Sequence, residues 1–108
     1  MKYKVAPMVH PEVVEPRFLP GDRVSVRVAS PVGHVRTPSY IRGKSGLVER
    51  LCGIYGNPEE LAYGRTGEPK QPLYRVRFLQ RDVWLDYQGT AADTLDVEIY
   101  QHWLEWGK

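Results

Sequence analysis

Cysteine is nearly absent: Cys52 is the single one in 108 residues. One thiol closes no internal disulfide and builds no three- or four-thiolate metal centre, so the chain reads as a protein of a reducing, cytoplasmic setting that binds no metal of its own. Long apolar runs are missing as well. Nothing reaches the about seven residues of a signal-peptide core or the about 20 of a membrane helix, and no membrane partner is expected. Excess charge of one sign is also lacking. Fifteen basic against thirteen acidic residues leave +2, which argues against general polyanion binding. The three histidines, His10, His34 and His102, share no ligand spacing, and no glycine-rich phosphate loop or nucleophile elbow surrounds Ser25, Ser30, Ser39 or Ser45. No internal repeat is present. At this length the chain is one domain that buries about two-thirds of its unfolded surface, enough for a small core but not for an enclosed catalytic cleft. Autonomous catalysis is therefore not expected, and help from a partner chain is.

Proline and alternating valine are what the sequence does have. Pro7, Pro11, Pro16 and Pro20 each lack a backbone donor and disfavour helix at the preceding residue, so residues 1–17 read as an extended arm. From residue 22 the pattern turns to strict alternation, with Val24, Val26 and Val28 on one face and Arg23, Ser25 and Arg27 on the other, a half-buried strand. A second strand is predicted over 45–51, a third over 73–78 with Tyr74, Val76 and Phe78 inward, and a fourth over 94–99 with Leu95, Val97 and Ile99 inward. Residues 100–105 close as a turn or final strand. Between the second and third strands a connection over 53–72 is rich in Gly and Pro, with one helical turn predicted near Pro58. A connection of that length in a small domain is functional or held by a partner. Trp84, Leu85 and Tyr87, in a loop over 80–89, are expected to pack. Short strands between breaker-rich loops predict a mainly β fold, a small antiparallel barrel or roll spanning 18–108.

The most unusual segment is the loop over 31–44, which carries His34, Arg36, Arg42 and Lys44 among two prolines and two glycines. An arginine on so stiff a loop can give an oxyanion two parallel hydrogen bonds, a geometry that lysine does not reproduce. On spacing alone the simpler reading, arginines solvated or paired with carboxylates, is preferred. Cys52 reads as a small buried apolar residue, since no motif places a base beside it.

The segments Phe18-Leu19-Pro20-Gly21-Asp22-Arg23-Val24 and Pro31-Val32-Gly33-His34-Val35-Arg36-Thr37-Pro38-Ser39-Tyr40-Ile41-Arg42-Gly43-Lys44-Ser45-Gly46 resemble the C-terminal half of the nitrile hydratase beta subunit. Pro58-Glu59, Gly67-Glu68, Gln71-Pro72-Leu73-Tyr74, Val83-Trp84 and the closing residues 97–105 continue the likeness in order. The resemblance implies an SH3-like barrel and a subunit that completes an active site hydrating a nitrile to an amide. It implies an alpha-subunit partner holding non-corrin cobalt, or non-haem iron, in a Cys-x-x-Cys-Ser-Cys loop with two oxidised cysteines. It also implies that Arg36, in the Gly-His-x-Arg segment, hydrogen-bonds those oxidised sulfurs, so that its guanidinium orders the metal's surroundings without being a ligand. Arg42 and His34 are expected to be structural. The helical half of the usual beta subunit is not in this sequence. The expectation is a beta subunit split into two polypeptides, with a separate chain resembling that half, as in the three-subunit toyocamycin nitrile hydratase and thiocyanate hydrolase.

Two other readings stand beside this one. The ending over 93–99 resembles the small subunit of thiocyanate hydrolase. Gly21-Asp22-Arg23-Val24 and residues 43–48 also resemble the KOW motif of nucleic-acid-binding barrels, but the near-neutral charge and the long connection make nucleic acid an unexpected partner.

Overall fold

The computed structural model describes residues 13–28 and 37–107. Its centre is one five-stranded antiparallel sheet in the order β4-β3-β2-β1-β5, which makes the fold mainly β as predicted. The strands are β1 (Arg23–Val26), β2 (Ser45–Tyr55), β3 (Gln71–Leu79), β4 (Thr94–Tyr100) and β5 (Leu104–Trp106). Two one-turn helices, α1 (Pro58–Leu61) and α2 (Gln80–Val83), and two 3-10 turns, Ser39–Ile41 and Gln101–Trp103, fill the connections. Among the described residues no helix is long and apolar enough to cross a membrane.

Alternation places the core. Val24 and Val26 of β1, Val48 of β2 and Tyr74, Val76 and Phe78 of β3 are all buried on one side of the sheet. Leu95 and Val97 of β4 pack against them half-buried, and Ile99 is fully buried. Each such side chain contributes about 1.5–3 kcal/mol when removed from water. Phe18, just ahead of β1, joins this core edge-on to Tyr74, with ring centroids 5.5 Å apart, and to Trp106 at 4.7 Å. Thus the segment before β1 and the last strand are sealed to the same cluster.

Four expectations need correction. First, the connection is shorter than 53–72, because β2 runs on to Tyr55 and β3 starts at Gln71. Register shifts between Val48 and Arg50 and between Leu51 and Gly53 mark bulges, and these let β2 bend while staying paired with β3 as far as Tyr55. Pro72 is tolerated because it lies one residue beyond the last β3–β4 pair, Leu73 with Tyr100, where β3 has a neighbour on one side only. Second, Val28 is 72% exposed. The ladder stops at Val26, whose N–H and C=O are taken by Lys44 and Gly43, and Arg27 turns to donate to the Trp103 carbonyl. Third, Leu85 is almost fully exposed rather than packed, and Trp84 packs on Tyr40 outside the core, because residues 80–83 wind into α2 and spend Val83 on the core. Fourth, Cys52 is only half-buried on β2, with its Sγ 3.9 Å from Glu98 Oε2.

The described end of the N-terminal arm, residues 13–17, is tied to the sheet. Val13 bridges Lys70 in parallel, and Val14 N–H donates to the Lys70 carbonyl at 2.8 Å.

Candidate functional site

Arg36, His34 and His10 lie outside the described residues. What the structure defines is the frame into which Arg36 is spliced, with Val28 on one side of residues 29–36 and Thr37 on the other. Thr37 is a fixed point: it is 5% exposed, and its carbonyl accepts a 2.9 Å hydrogen bond from Arg42 Nη2. A 3-10 turn follows, closed by Arg42 N–H to Ser39 O at 3.2 Å and anchored by the fully buried Ile41. Gly43 then takes a φ of +81°, a conformation that costs an L side chain strain, and its N–H reaches the Val26 carbonyl at 2.8 Å. In this way the sequence Thr-Pro-Ser-Tyr-Ile-Arg-Gly locks the exit of the loop onto the end of β1.

Arg42 is structural, as expected. Its guanidinium carbon sits 5.1 Å from the centre of the Trp103 ring, which is itself 4% exposed. Among the described residues no carboxylate pairs with Arg42, so a ring face and a backbone carbonyl meet its charge. Beside it, Tyr40 stacks on Trp84 with ring centroids 5.0 Å apart, and Trp84 Nε1 donates to Gln80 Oε1 at 2.6 Å. The exposed tryptophan therefore covers the outside of the same turn.

The C-terminal turn joins this frame to the central connection. Arg27 Nη1 donates to the His102 carbonyl at 2.9 Å, while the His102 imidazole Nε2 bonds the Glu59 carboxylate of α1. Both side chains are largely buried, and among the described residues Glu59 Oε2 and His102 Nδ1 have no hydrogen-bond partner. Asn57 caps α1 by accepting from Glu59 N–H at 3.0 Å, and Pro58 occupies its first position. An open groove lies beside this helix, lined by Tyr55, Gly56, Pro58, Leu61, Ala62 and Tyr100.

Charged groups on the outer face of the sheet pair locally. Arg77 grips Asp96 with two hydrogen bonds of 2.8 and 2.9 Å, and this contact holds the Asp96 carboxyl below the usual carboxylate range. Hydrogen bonds from Thr90 and then from Tyr87 depress Asp93, and in return the bond to Asp93 raises the Tyr87 phenol. Among the described residues no three His, Cys, Asp or Glu side chains converge on a possible metal position.

The conspicuous feature is thus the anchored turn that follows residue 36. The family model described as the C-terminal domain of the nitrile hydratase beta subunit matches residues 7–106. The chain belongs to that family. Among nitrile hydratase beta subunits, that of Pseudomonas chlororaphis is 37% identical over 93 residues, covering 83% of this chain and 40% of the relative. The cobalt-containing one of Pseudonocardia thermophila is 38% identical over 88 residues, covering 82% and 36%. The chain thus spans well under half the length of these nitrile hydratase relatives. The recombinant apo-enzyme of thiocyanate hydrolase from Thiobacillus thioparus contains a chain that superposes with a TM-score of 0.81 at 32% identity, over 89% of this chain and 80% of that one.

Trp103 and the Glu59–His102 pair were not foreseen from the sequence. Trp103 follows a histidine in a segment without alternation, and Glu59 lies 43 residues from His102. The one local hint was the helical turn at Pro58, which fixes where Glu59 points.

Proposed function

We propose that this chain is a small, metal-free subunit of a nitrile hydratase, with an SH3-like barrel that completes the active site against a metal-bearing alpha subunit. The observation that carries the reading is the family match across residues 7–106, which contains the whole Gly33-His34-Val35-Arg36 segment together with the frame that anchors its exit. The partner's Cys-x-x-Cys-Ser-Cys loop would hold non-corrin cobalt or non-haem iron, and the cobalt-containing relative favours cobalt. When bound, the metal supplies Lewis-acid activation for adding water across the carbon–nitrogen triple bond. Arg36 donates its planar fork to the anionic oxygens of the partner's oxidised cysteines and keeps them oriented, a task that a lysine ammonium performs poorly. A separate chain resembling the helical half of the beta subunit supplies the rest of the pocket, and the complex works in the cytoplasm.

The test is to co-express the chain with such an alpha subunit and helical chain, then to compare amide formation by the wild type and Arg36→Lys. A loss of about 10- to 100-fold with the complex intact is expected, the usual cost of removing a group that orients metal ligands. Full activity with full metal content would remove Arg36 from this role. A second reading, the small subunit of a thiocyanate hydrolase, draws on the superposition with that enzyme's chain at 80% coverage. The same complex given thiocyanate instead of a nitrile separates the two.

A further inference from the structure

We infer that the open groove shared by Arg17 and Arg27 docks an acidic segment of the chain that supplies the helical part of the beta subunit; the inference rests on the reading above that such a separate chain exists. Arg50, Arg65, Arg75 and Arg77 each pair with a nearby carboxylate. Arg17 and Arg27 are exposed, and among the described residues no carboxylate lies within ion-pair distance of either. Glu105 lines the same groove yet stays beyond that distance, and His102, which also lines it, has its Nε2 taken by Glu59. Both guanidiniums are nevertheless held in place. Arg27 Nη1 donates to the His102 carbonyl at 2.9 Å, and Arg17 Nη2 reaches the Leu104 carbonyl, two residues on, at 3.5 Å. The Arg17 guanidinium carbon also lies 4.8 Å from the centre of the Phe18 ring. Each planar fork thus spends one donor on the chain's own backbone and keeps the others for a ligand, and a side chain already oriented loses less freedom on binding. Two oriented cations without a counter-charge are complemented by Asp or Glu side chains, which guanidinium forks bind with two parallel hydrogen bonds.

The position of the groove selects which chain brings them. Its rim includes Val14 and Arg17, at the described start of the domain. The family model is that of a C-terminal domain and begins at residue 7, six residues ahead of Val13. Six residues span at most about 20 Å, so in a full-length beta subunit the preceding half joins within that reach of Val13, beside the groove. Where that half is a separate chain the covalent tether is gone, and charge-assisted contacts at the same place take over its task.

The test is to measure binding of the purified chain to the helical chain and, separately, to the alpha subunit, for the wild type, for the double variant Arg17→Gln with Arg27→Gln, and for Arg81→Gln, an exposed arginine of α2 outside the groove, as control. The double variant should bind the helical chain at least about ten-fold more weakly at low salt, with the control unchanged. Wild-type affinity for the helical chain should itself fall as ionic strength rises from about 0.05 to about 0.5 M, and less steeply in the double variant. That wild-type series decides the matter if the double variant fails to fold, since an affinity independent of salt overturns the proposal. So do equal affinities of wild type and double variant, no binding of the wild type to the helical chain, or a loss confined to binding of the alpha subunit. Amide formation reads the functional assignment separately. A three-chain complex that hydrates a nitrile although both arginines prove dispensable leaves that assignment standing without the groove, and an inactive complex whose assembly needs both arginines leaves the groove standing without the assignment.

Discussion

The Tyr74 hydroxyl donates to Gln101 Oε1 at 2.7 Å, and these two buried oxygens also receive the N–H of Arg17, at 3.1 and 2.9 Å. Phe18 N–H adds a contact to Tyr74 Oη at 3.2 Å, and Gln101 Nε2 donates to the Glu15 carbonyl at 3.0 Å. One pair of side chains, from β3 and the C-terminal turn, thereby satisfies the backbone of the segment that enters β1.

Tyr74→Phe keeps the ring in the core and removes only the oxygen, leaving the Phe18 N–H without its acceptor and the Arg17 N–H with Gln101 Oε1 alone. The expected cost is about 1–3 kcal/mol, the penalty of an unmet buried donor. For a domain of this size each kcal/mol corresponds to about 4–8 °C in the thermal midpoint. Thermal unfolding followed by near-ultraviolet circular dichroism reads it, and an unchanged midpoint would show that water replaces the phenol without penalty.

Gly46 in β2 marks a close approach. A Cβ built there would lie 2.7 Å from the Arg77 carbonyl oxygen and 3.0 Å from atoms of Phe78 and Val76. The backbone carbonyl cannot swing aside without breaking the β2–β3 ladder, so Gly46→Ala should destabilise by about 1–3 kcal/mol, the range for overpacking a core. Urea unfolding of the variant measures this; a midpoint equal to that of the wild type would mean that the ladder relaxes.

Period-two alternation made β1, β3 and β4 legible, because Val24, Val26, Tyr74, Val76, Phe78 and Ile99 must share a face to leave water. It failed at Val28, where the ladder ends through hydrogen bonds to residues distant in sequence; the loop over 80–89 gave no alternation to read, and there Val83 took the core position while Leu85 stayed exposed. The family resemblance singled out Arg36, but the contacts that hold the turn over 39–41 were not legible. The contact of Arg42 with Trp103 and that of His102 with Glu59 join residues 61 and 43 positions apart, and no local pattern encodes such a pairing.

Asp93 organises the turn before β4. It accepts from Tyr87 Oη at 2.5 Å, from Thr90 Oγ1 at 2.6 Å and from Thr90 N–H at 3.1 Å, and its pKa lies below the ordinary carboxylate value. A folded-state pKa below the unfolded one means that the stabilisation is complete above the unfolded value and is lost as pH falls through the folded one. The wild type should therefore lose more stability than Asp93→Asn as pH falls below about 4, the ordinary carboxylate value. The raised Tyr87 phenol acts oppositely, stabilising below about pH 10 and fading as pH rises through its folded value. Urea midpoints across the acid range decide the first point, and parallel curves for the two proteins would contradict it.

The Glu59–His102 contact ties α1 to the C-terminal turn, whereas the neighbouring Glu60 bonds Arg65 within the same connection at 3.2 Å. The two glutamates are adjacent in sequence but differ in what they hold. Glu59→Ala should free the connection from the sheet, leave the largely buried imidazole without its acceptor and cost about 1–3 kcal/mol. Exchange at the Leu61 and Ala62 amides, which bond Asn57 O and Pro58 O at 3.0 Å, should then rise sharply. Glu60→Ala removes an exposed ion pair worth about 0–1 kcal/mol and should leave those amides protected. Hydrogen exchange followed by mass spectrometry on the two variants separates the roles. Equal exchange in both would mean that the cap at Asn57 alone holds α1, with the histidine contact adding nothing to it.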